Sequence, residues 1–405
     1  MKALIIGVDG FDEELFQQSN MRFIKSHYYK KIKTVKPIIT PACAVSILTG
    51  KHPFEHGIVD FYDDNFRVVT SKNIVHLYFT DILSLWGYRL GLWKVPMIYP
   101  KKYRGFTIWG LEAPKFTADK KIEAILNKVN YEREEIEHCE SDEDYVKLYM
   151  MRTVKEFKLF KFLCEKYDVD IGFFWLRYSD VLAHIFYGRR KDILIQYYNF
   201  IDSLIRELIE YFEPEIWFVF GDHGFSEKKY VVSIPRILLN AKLTSWKNRY
   251  QRLLHFFVSK IKPDTIIKLG LLRTNGFLRF LNVASKLSIM FNFNGIRLIG
   301  SEESLLKIKP FKNSIVRIIK EKLRGIVEYF KLGNSLLLTP KRGIALTKVV
   351  LDKVLTKDNS QLRTGIHWLD TVVASNHQNV TRMLKVTELK KLFLNIFRRK
   401  IRKKL

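Results

Sequence analysis

The chain of 405 residues holds only three cysteines, Cys43, Cys139 and Cys164. They stand too far apart to form a metal-ligand cluster. A sparse, odd set also excludes a small disulfide-stapled module and suits a reducing compartment. No window reaches the roughly 18 uncharged apolar residues that a membrane-spanning helix needs. The apolar run after Met1-Lys2 is short and stops at Asp9, which does not fit an export signal. Gly/Ser-rich and Pro-rich linkers are missing, as is any internal repeat, so the expectation is a single domain over 1–405. Acid is also scarce: 42 Asp plus Glu face 69 Lys plus Arg, a formal net charge of +27.

What is present is aromatic and apolar. Thirty Phe and 19 Tyr within a 47% hydrophobic composition can fill a large core, which rules out disorder and low complexity. The positive charge concentrates any polyanion nearby, whether nucleic acid, anionic lipid or phosphorylated substrate. It is uneven. Arg382 to Leu405 carries ten basic residues against the single Glu388, while Glu132 to Asp144 carries eight acids against Arg133. No recognition-helix, zinc-finger or stacking-platform pattern accompanies the charge, so specific nucleic-acid binding is not expected.

Short, continuously apolar runs read as buried strands of a parallel sheet: Ala3 to Val8, Ile171 to Leu176, Ile216 to Phe220 and Thr371 to Ser375. Helical periodicity lies between them, with Val146, Met150, Val154, Phe157 and Phe160 in one stretch and Ile201, Leu204, Leu208 in another. Strands alternating with helices predict an α/β fold, a mostly parallel sheet flanked by helices. Two less regular stretches, 64–135 and 231–345, are expected as inserted, cap-like segments. The second mixes a basic helical piece, Trp246 to Ile261, with strands near Ser288 to Gly300 and Asn334 to Pro340. Residues 385–405 read as a terminal helix with a basic tail, its apolar face formed by Leu389, Leu392, Phe393, Ile396 and Phe397.

The strand ends carry chemistry. Asp9 follows the first strand, and Asp222-His223 close another between Gly221 and Gly224. Asp180 and His184 are four apart, which places both on one face of a helix that Ser179 is suited to cap. His367 precedes the last strand. Oxygen-plus-imidazole ligand sets suit zinc, manganese or iron. Thr40-Pro41 opens a short helical pattern, where a hydroxyl sits beside unpaired backbone N–H groups that favour an anion. A threonine hydroxyl is a weak nucleophile unless activated, so it needs such ligands close by. Each feature alone is ordinarily a cap or a turn; their joint appearance at successive strand ends is what points to a site.

Together these residues resemble the alkaline phosphatase superfamily, in its type I phosphodiesterase/nucleotide pyrophosphatase-like branch. The resemblance rests on Gly-Val-Asp-Gly with Asp9, Thr40-Pro41 through Leu48-Thr49-Gly50 and His56-Gly57-Ile58, Asp180-x-x-x-His184, Asp222-His223-Gly224, and Gly365-Ile366-His367. It implies an alkaline phosphatase-like catalytic domain and two divalent metal ions, zinc first and manganese as the alternative. One ion would be held by Asp180, His184 and His367, the other by Asp9, Asp222, His223 and the Thr40 hydroxyl. Thr40 would be the covalent nucleophile in hydrolysis of a phosphodiester or pyrophosphate, with a phosphomonoesterase or phosphotransferase as the alternative and a non-catalytic polyanion-binding protein ranked after them. Phe61 stands where nucleotide pyrophosphatases carry a phosphate-contacting Asn, and the Cys/Ser-x-Pro-x-Arg pattern of sulfatases is missing. The expected partner is a small phosphorylated substrate in a cytoplasmic enzyme. Its basic tail is read as solvated, weak peripheral contact with an anionic membrane being the alternative.

Overall fold

A computed structural model of the protein describes residues 1–402 except 64–66, 111, 132–138, 140, 234–287, 293–294, 300–316, 318–319, 322, 333–334, 348–352, 354 and 359–362. The chain divides into two compact units, Met1–Phe61, Val68–Glu227 and Ser360–Leu405 in one, Tyr62–Arg67 and Lys228–Asn359 in the other. The larger unit begins with β1 (Ala3–Val8), α1 (Glu13–Gln18), α2 (Arg22–Lys25), β2 (Tyr28–Lys33), α3 (Thr40–Thr49), α4 (Pro53–His56) and α5 (Phe79–Leu85). It continues through β3 (Leu90–Trp93), β4 (Gly105–Ile108), α6 (Lys120–Lys128), α7 (Asp142–Lys166), β5 (Ile171–Leu176), α8 (Tyr178–Phe186), α9 (Lys191–Phe212), β6 (Ile216–Gly221) and β7 (Gly224–Glu227). The smaller unit supplies β8 (Tyr230–Ser233), β9 (Ser288–Asn292), β10 (Gly295–Ile299), β11 (Val327–Leu332), β12 (Ser335–Pro340), β13 (Ile344–Thr347) and β14 (Leu355–Lys357). The chain then returns to the larger unit as β15 (Gly365–Trp368), β16 (Asp370–Ser375) and α10 (Leu389–Arg402).

Seven strands of the larger unit form one sheet in the order β2-β16-β6-β1-β5-β3-β4. β6, β1, β5, β3 and β4 run parallel; β16 is antiparallel to both β6 and β2. The apolar runs are continuous because both faces are covered. Leu4, Ile6 and Val8 of β1 join Phe174 of β5 and Val219 of β6 in a core with α7, α8 and α9. Ala3 and Ile5 join Phe173, Phe218 and Phe220 in a second core with α3, α5 and α10. That split is the two-residue alternation of a strand.

The four apolar runs are strands as expected, the last of them antiparallel. The segment 64–135, expected as an insertion, differs. Its residues from Val68 onward belong to the larger unit, and β3 and β4 extend the main sheet. Each is only four residues long, too short for periodicity to separate a strand from a loop. The expected insertion 231–345 falls in the smaller unit. There β9 and β10 pair as a hairpin within a sheet of order β11-β12-β10-β9, and β13-β8-β14 form a second sheet. The helical piece expected over Trp246 to Ile261 lies outside the described residues. Among the described residues, no helix is long and apolar enough to cross a membrane, and no disulfide joins the three cysteines.

The terminal helix α10 packs as its spacing predicts. Leu389, Phe393 and Phe397 are wholly buried, and the Phe393 ring lies 4.9 Å from that of Phe79 and 4.8 Å from that of Phe218. Phe393→Ala should therefore cost about 3–5 kcal/mol, measured by denaturant unfolding; a loss below about 1 kcal/mol would show that α10 is not docked on the sheet.

His56 ends α4 in a tight internal network. Its Nδ1 accepts the Ile58 N–H at 3.1 Å, so Nε2 carries the proton and donates to Ser46 Oγ at 3.0 Å. Burial, with nearby His76, lowers its pKa from 6.5 to about 4. A depressed histidine favours the neutral ring in the folded state, so its contribution is full above pH 6.5 and is lost as pH falls from 6.5 towards 4. The expected loss over that window is about 3 kcal/mol. Thermal unfolding across that pH range should be steeper for the natural protein than for His56→Gln; identical slopes would refute the assignment.

Candidate metal centre and active site

The sheet's register assembles the site. Val8 pairs with Leu176 on one side and Gly221 on the other, so three neighbouring parallel strands end level. Asp9, the residues after Leu176, and Asp222 are thereby delivered to one edge. The Asp9 N–H donates to the Leu176 carbonyl at 2.8 Å, and the Gly10 N–H to Asp222 Oδ1 at 3.1 Å. Just past Leu176, α8 starts and carries Asp180 and His184 one turn apart. Ser179 does not cap it, contrary to expectation. The cap position is Arg177, and Ser179 Oγ donates instead to the Asp9 carbonyl at 2.6 Å, stitching α8 to β1.

His367 arrives from another direction. β15 pairs antiparallel with β7, setting His367 opposite Phe225, two residues beyond His223. Two glycines permit this approach. A Cβ on Gly224 would lie 1.9 Å from the Asp370 carbonyl oxygen, and one on Gly365 would lie 2.1 Å from that of Ala183. The rings of His223 and His367 then stack with centroids 3.8 Å apart.

The three imidazoles are oriented alike. Nδ1 of His184 lies 3.1 Å from the Gly365 carbonyl, Nδ1 of His223 3.1 Å from that of Gly224, and Nδ1 of His367 3.1 Å from that of Ile38. A carbonyl only accepts, so each ring carries a proton on Nδ1 and turns its Nε2 inward, where a neutral ring presents a lone pair. Nε2 of His184 and Nε2 of His367 are 3.0 Å apart, and Asp180 Oδ1 lies 3.5 Å and 3.1 Å from them. Nε2 of His223 is 3.3 Å from Asp9 Oδ1, 3.5 Å from Asp222 Oδ2 and 3.9 Å from Asp180 Oδ1.

Electrostatics describes a site short of positive charge. Asp9 Oδ1, Asp222 Oδ2 and His223 Nε2 are buried with no hydrogen-bond partner, although the second oxygen of Asp9 accepts from Trp175 Nε1 at 3.3 Å. Burial, joined by the Asp9 carboxylate, pushes Asp222 well above the usual carboxylate range. Burial acts likewise on Asp180, but His184, His367 and His223 outweigh it and hold that carboxyl low. Burial lowers His184 to about 3 against the pull of Asp180, so its ring is neutral near pH 7. Burial opposes protonation of His223 too, yet Asp9 and Asp180 raise it overall. Facing lone pairs and orphaned carboxylate oxygens fit divalent cations held by N and O ligands.

Two groups that could hold a metal ion follow from the geometry, Asp180–His184–His367 and Asp9–Asp180–His223, each with its donor atoms within 4.8 Å of one another. Asp180 lies in both candidate groups, where the family resemblance implies it for the first alone. Asp222 borders the second group through His223. Thr40 is the first residue of α3; the cap position is Ile39, and no side chain caps this end. Its hydroxyl is therefore not the cap that a Thr-Pro helix start suggests. The start of α3 is tied to the cluster because the Ile38 carbonyl accepts from His367, and Cys43, one turn on, has its thiol raised by burial and by the charge of Asp222. Trp175 and the Ile38 carbonyl carry no signal in the sequence, and Ser179 reads there only as a cap, since no local pattern marks a residue that acts on a side chain far along the chain.

Comparison with known proteins agrees with this architecture. Residues 3–269, more than half of the chain, match the family of Type I phosphodiesterase / nucleotide pyrophosphatase. A search of curated proteins finds no match. Among solved structures, murine ectonucleotide pyrophosphatase / phosphodiesterase 5 superposes with a TM-score of 0.57 at 12% identity, covering 98% of this chain and 95% of its own. An inactive variant of that murine protein in complex with AMP gives 0.57 at 11% identity, over 98% and 94%. The human protein gives 0.55 at 12% identity, over 98% and 94%. At such identities the superpositions speak for the fold, and the family match carries the assignment. The chain belongs to the type I phosphodiesterase / nucleotide pyrophosphatase family of the alkaline phosphatase superfamily.

Proposed function

We propose that this chain is a metal-dependent phosphoric ester hydrolase that cleaves a phosphodiester or pyrophosphate, with Thr40 as covalent nucleophile and two divalent ions, zinc first, in the ligand groups around Asp180. The observation that carries the reading is the 3.0 Å separation of the His184 and His367 Nε2 atoms, both with Nδ1 committed to carbonyls. Two facing lone pairs at that distance repel unless a cation lies with them. Asp180, His184 and His367 would hold one ion; Asp9, Asp222, His223 and the Thr40 hydroxyl, with Asp180 shared, would hold the other. Bound there, such ions supply Lewis-acid polarisation of phosphoryl oxygens and neutralise the charge that develops in displacement.

The chain's own groups would do the remainder. Thr40 Oγ would form a bond to phosphorus as the bond to the leaving oxygen breaks, its proton passing through solvent to that leaving oxygen. A water oxygen would then bond to phosphorus as the Thr40 Oγ–P bond breaks, a proton of that water restoring the Thr40 hydroxyl. Placement at the first residue of α3 gives the phosphoryl group the helix's unpaired N–H groups as donors. The AMP complex of the murine relative supports a nucleotide-type ligand, while Phe61 in place of the family's Asn argues for a different set of phosphate contacts.

Three measurements test this. Elemental analysis after reconstitution should give two zinc or manganese ions per chain, and His367→Ala should lose at least one; a metal-free reconstituted protein contradicts the reading. Thr40→Ala should abolish turnover while shifting stability by less than about 1 kcal/mol, since the hydroxyl caps nothing; full activity in that variant rules out the covalent route. Bis-p-nitrophenyl phosphate should be cleaved in preference to p-nitrophenyl phosphate, and the opposite order would assign a monoesterase.

A further inference from the structure

The most deeply buried lysine–carboxylate pair among the described residues stands outside every ligand motif. Lys94 Nζ lies 2.5 Å from Glu156 Oε1, with side chains only 7% and 3% exposed. Glu156, in the middle of α7, gathers three more donors: the hydroxyls of Tyr131 and Tyr178 at 2.8 Å each and the Trp93 indole N–H at 3.3 Å. Lys94 follows β3 with φ of +53°, and its Nζ lies 5.2 Å and 5.8 Å from the ring centroids of Tyr131 and Tyr178. Removing two charges from water commonly costs as much as their attraction returns, so such a pair is poor evidence of added stability. What it does supply is direction. The end of β3, the Tyr131 segment and the start of α8 all converge on one carboxylate.

That convergence bears on the site through Tyr178, the first residue of α8, two before Asp180. On its other flank the same turn is held by Ser179 Oγ on the Asp9 carbonyl at 2.6 Å. We propose that the Lys94–Glu156 pair, acting through the Tyr178 hydroxyl, is a positioning device that fixes Asp180, the carboxylate common to both ligand groups. The inference rests on the metal reading of the site. Lys94 and Glu156 are positioning residues and touch no ligand themselves.

Tyr178→Phe is the sharpest test, because it keeps the ring and its packing 5.1 Å from Tyr149 and deletes one donor. Zinc affinity of the metal-free protein, measured by competition with a chromogenic chelator, should fall by about tenfold or more, the size expected for losing a group that orients a ligand. At saturating metal, kcat should fall with KM nearly unchanged, and the thermal midpoint should hardly move. A second variant, Lys94→Met with Glu156→Met, replaces the pair by apolar side chains. Its thermal midpoint should fall, because the Tyr131 and Tyr178 hydroxyls and the Trp93 N–H lose their acceptor, and its zinc affinity, measured where the variant is folded, should be weakened. Natural affinity and kcat in Tyr178→Phe would overturn the proposal. If Tyr178→Phe does not fold, the double variant decides: weakened affinity upholds the proposal and natural affinity overturns it. Should the natural protein itself bind neither zinc nor manganese, the metal reading fails and the inference with it. Normal binding in both the natural protein and the variants defeats the inference alone.

Discussion

Three imidazoles commit Nδ1–H to backbone carbonyls and aim Nε2 at carboxylates, and the rest of the structure is arranged around that cluster of donor atoms. Asp180 Oδ1 sits within 3.9 Å of all three Nε2 atoms. Without a cation the arrangement is unfavourable: buried carboxylate oxygens lack donors, and two imidazole nitrogens face each other at 3.0 Å. A fold tolerates such local cost when the group it awaits is stabilised there strongly enough to offset it.

The scaffold is rigid where that cost is concentrated. β1, β5 and β6 are buried on both faces, so their pairing is fixed by two cores at once, and a slip of one residue would exchange the two sets of side chains. The register that survives sets Asp9, the start of α8 and Asp222 side by side. α8 is then pinned by Ser179 to β1 and by Tyr178 to Glu156, while the β7–β15 ribbon brings His367 across. Candidate ligands as distant in the chain as Asp9 and His367 are thus oriented by groups outside the cluster, Trp175 for Asp9 and the Ile38 carbonyl for His367.

Much of this is written locally in the chain. The four apolar runs, the Asp180–His184 helical pair, the strand-ending Asp222-His223 and the apolar face of α10 each follow from a period or a residue type that needs no partner to be recognised. Other parts depend on contacts that no local pattern records. β3 and β4 are four residues each; β3 becomes a strand because the edge of β5 offers it hydrogen bonds, and β4 because β3 does in turn. Thr40 and Ser179 look like caps, but neither acts as one: Ile39 and Arg177 hold those positions, and Ser179 bonds across the chain to Asp9. The membership of Asp180 in both ligand groups depends on where β7 and β15 place His223 and His367, which spacing along α8 does not determine.

The most direct test of the central claim is the position of the cations. Crystals grown with zinc or manganese, measured at the corresponding absorption edge, should show two anomalous peaks, one against Asp180, His184 and His367 and one against Asp9, Asp180 and His223. No anomalous peak at either group in crystals saturated with both metals would contradict the account.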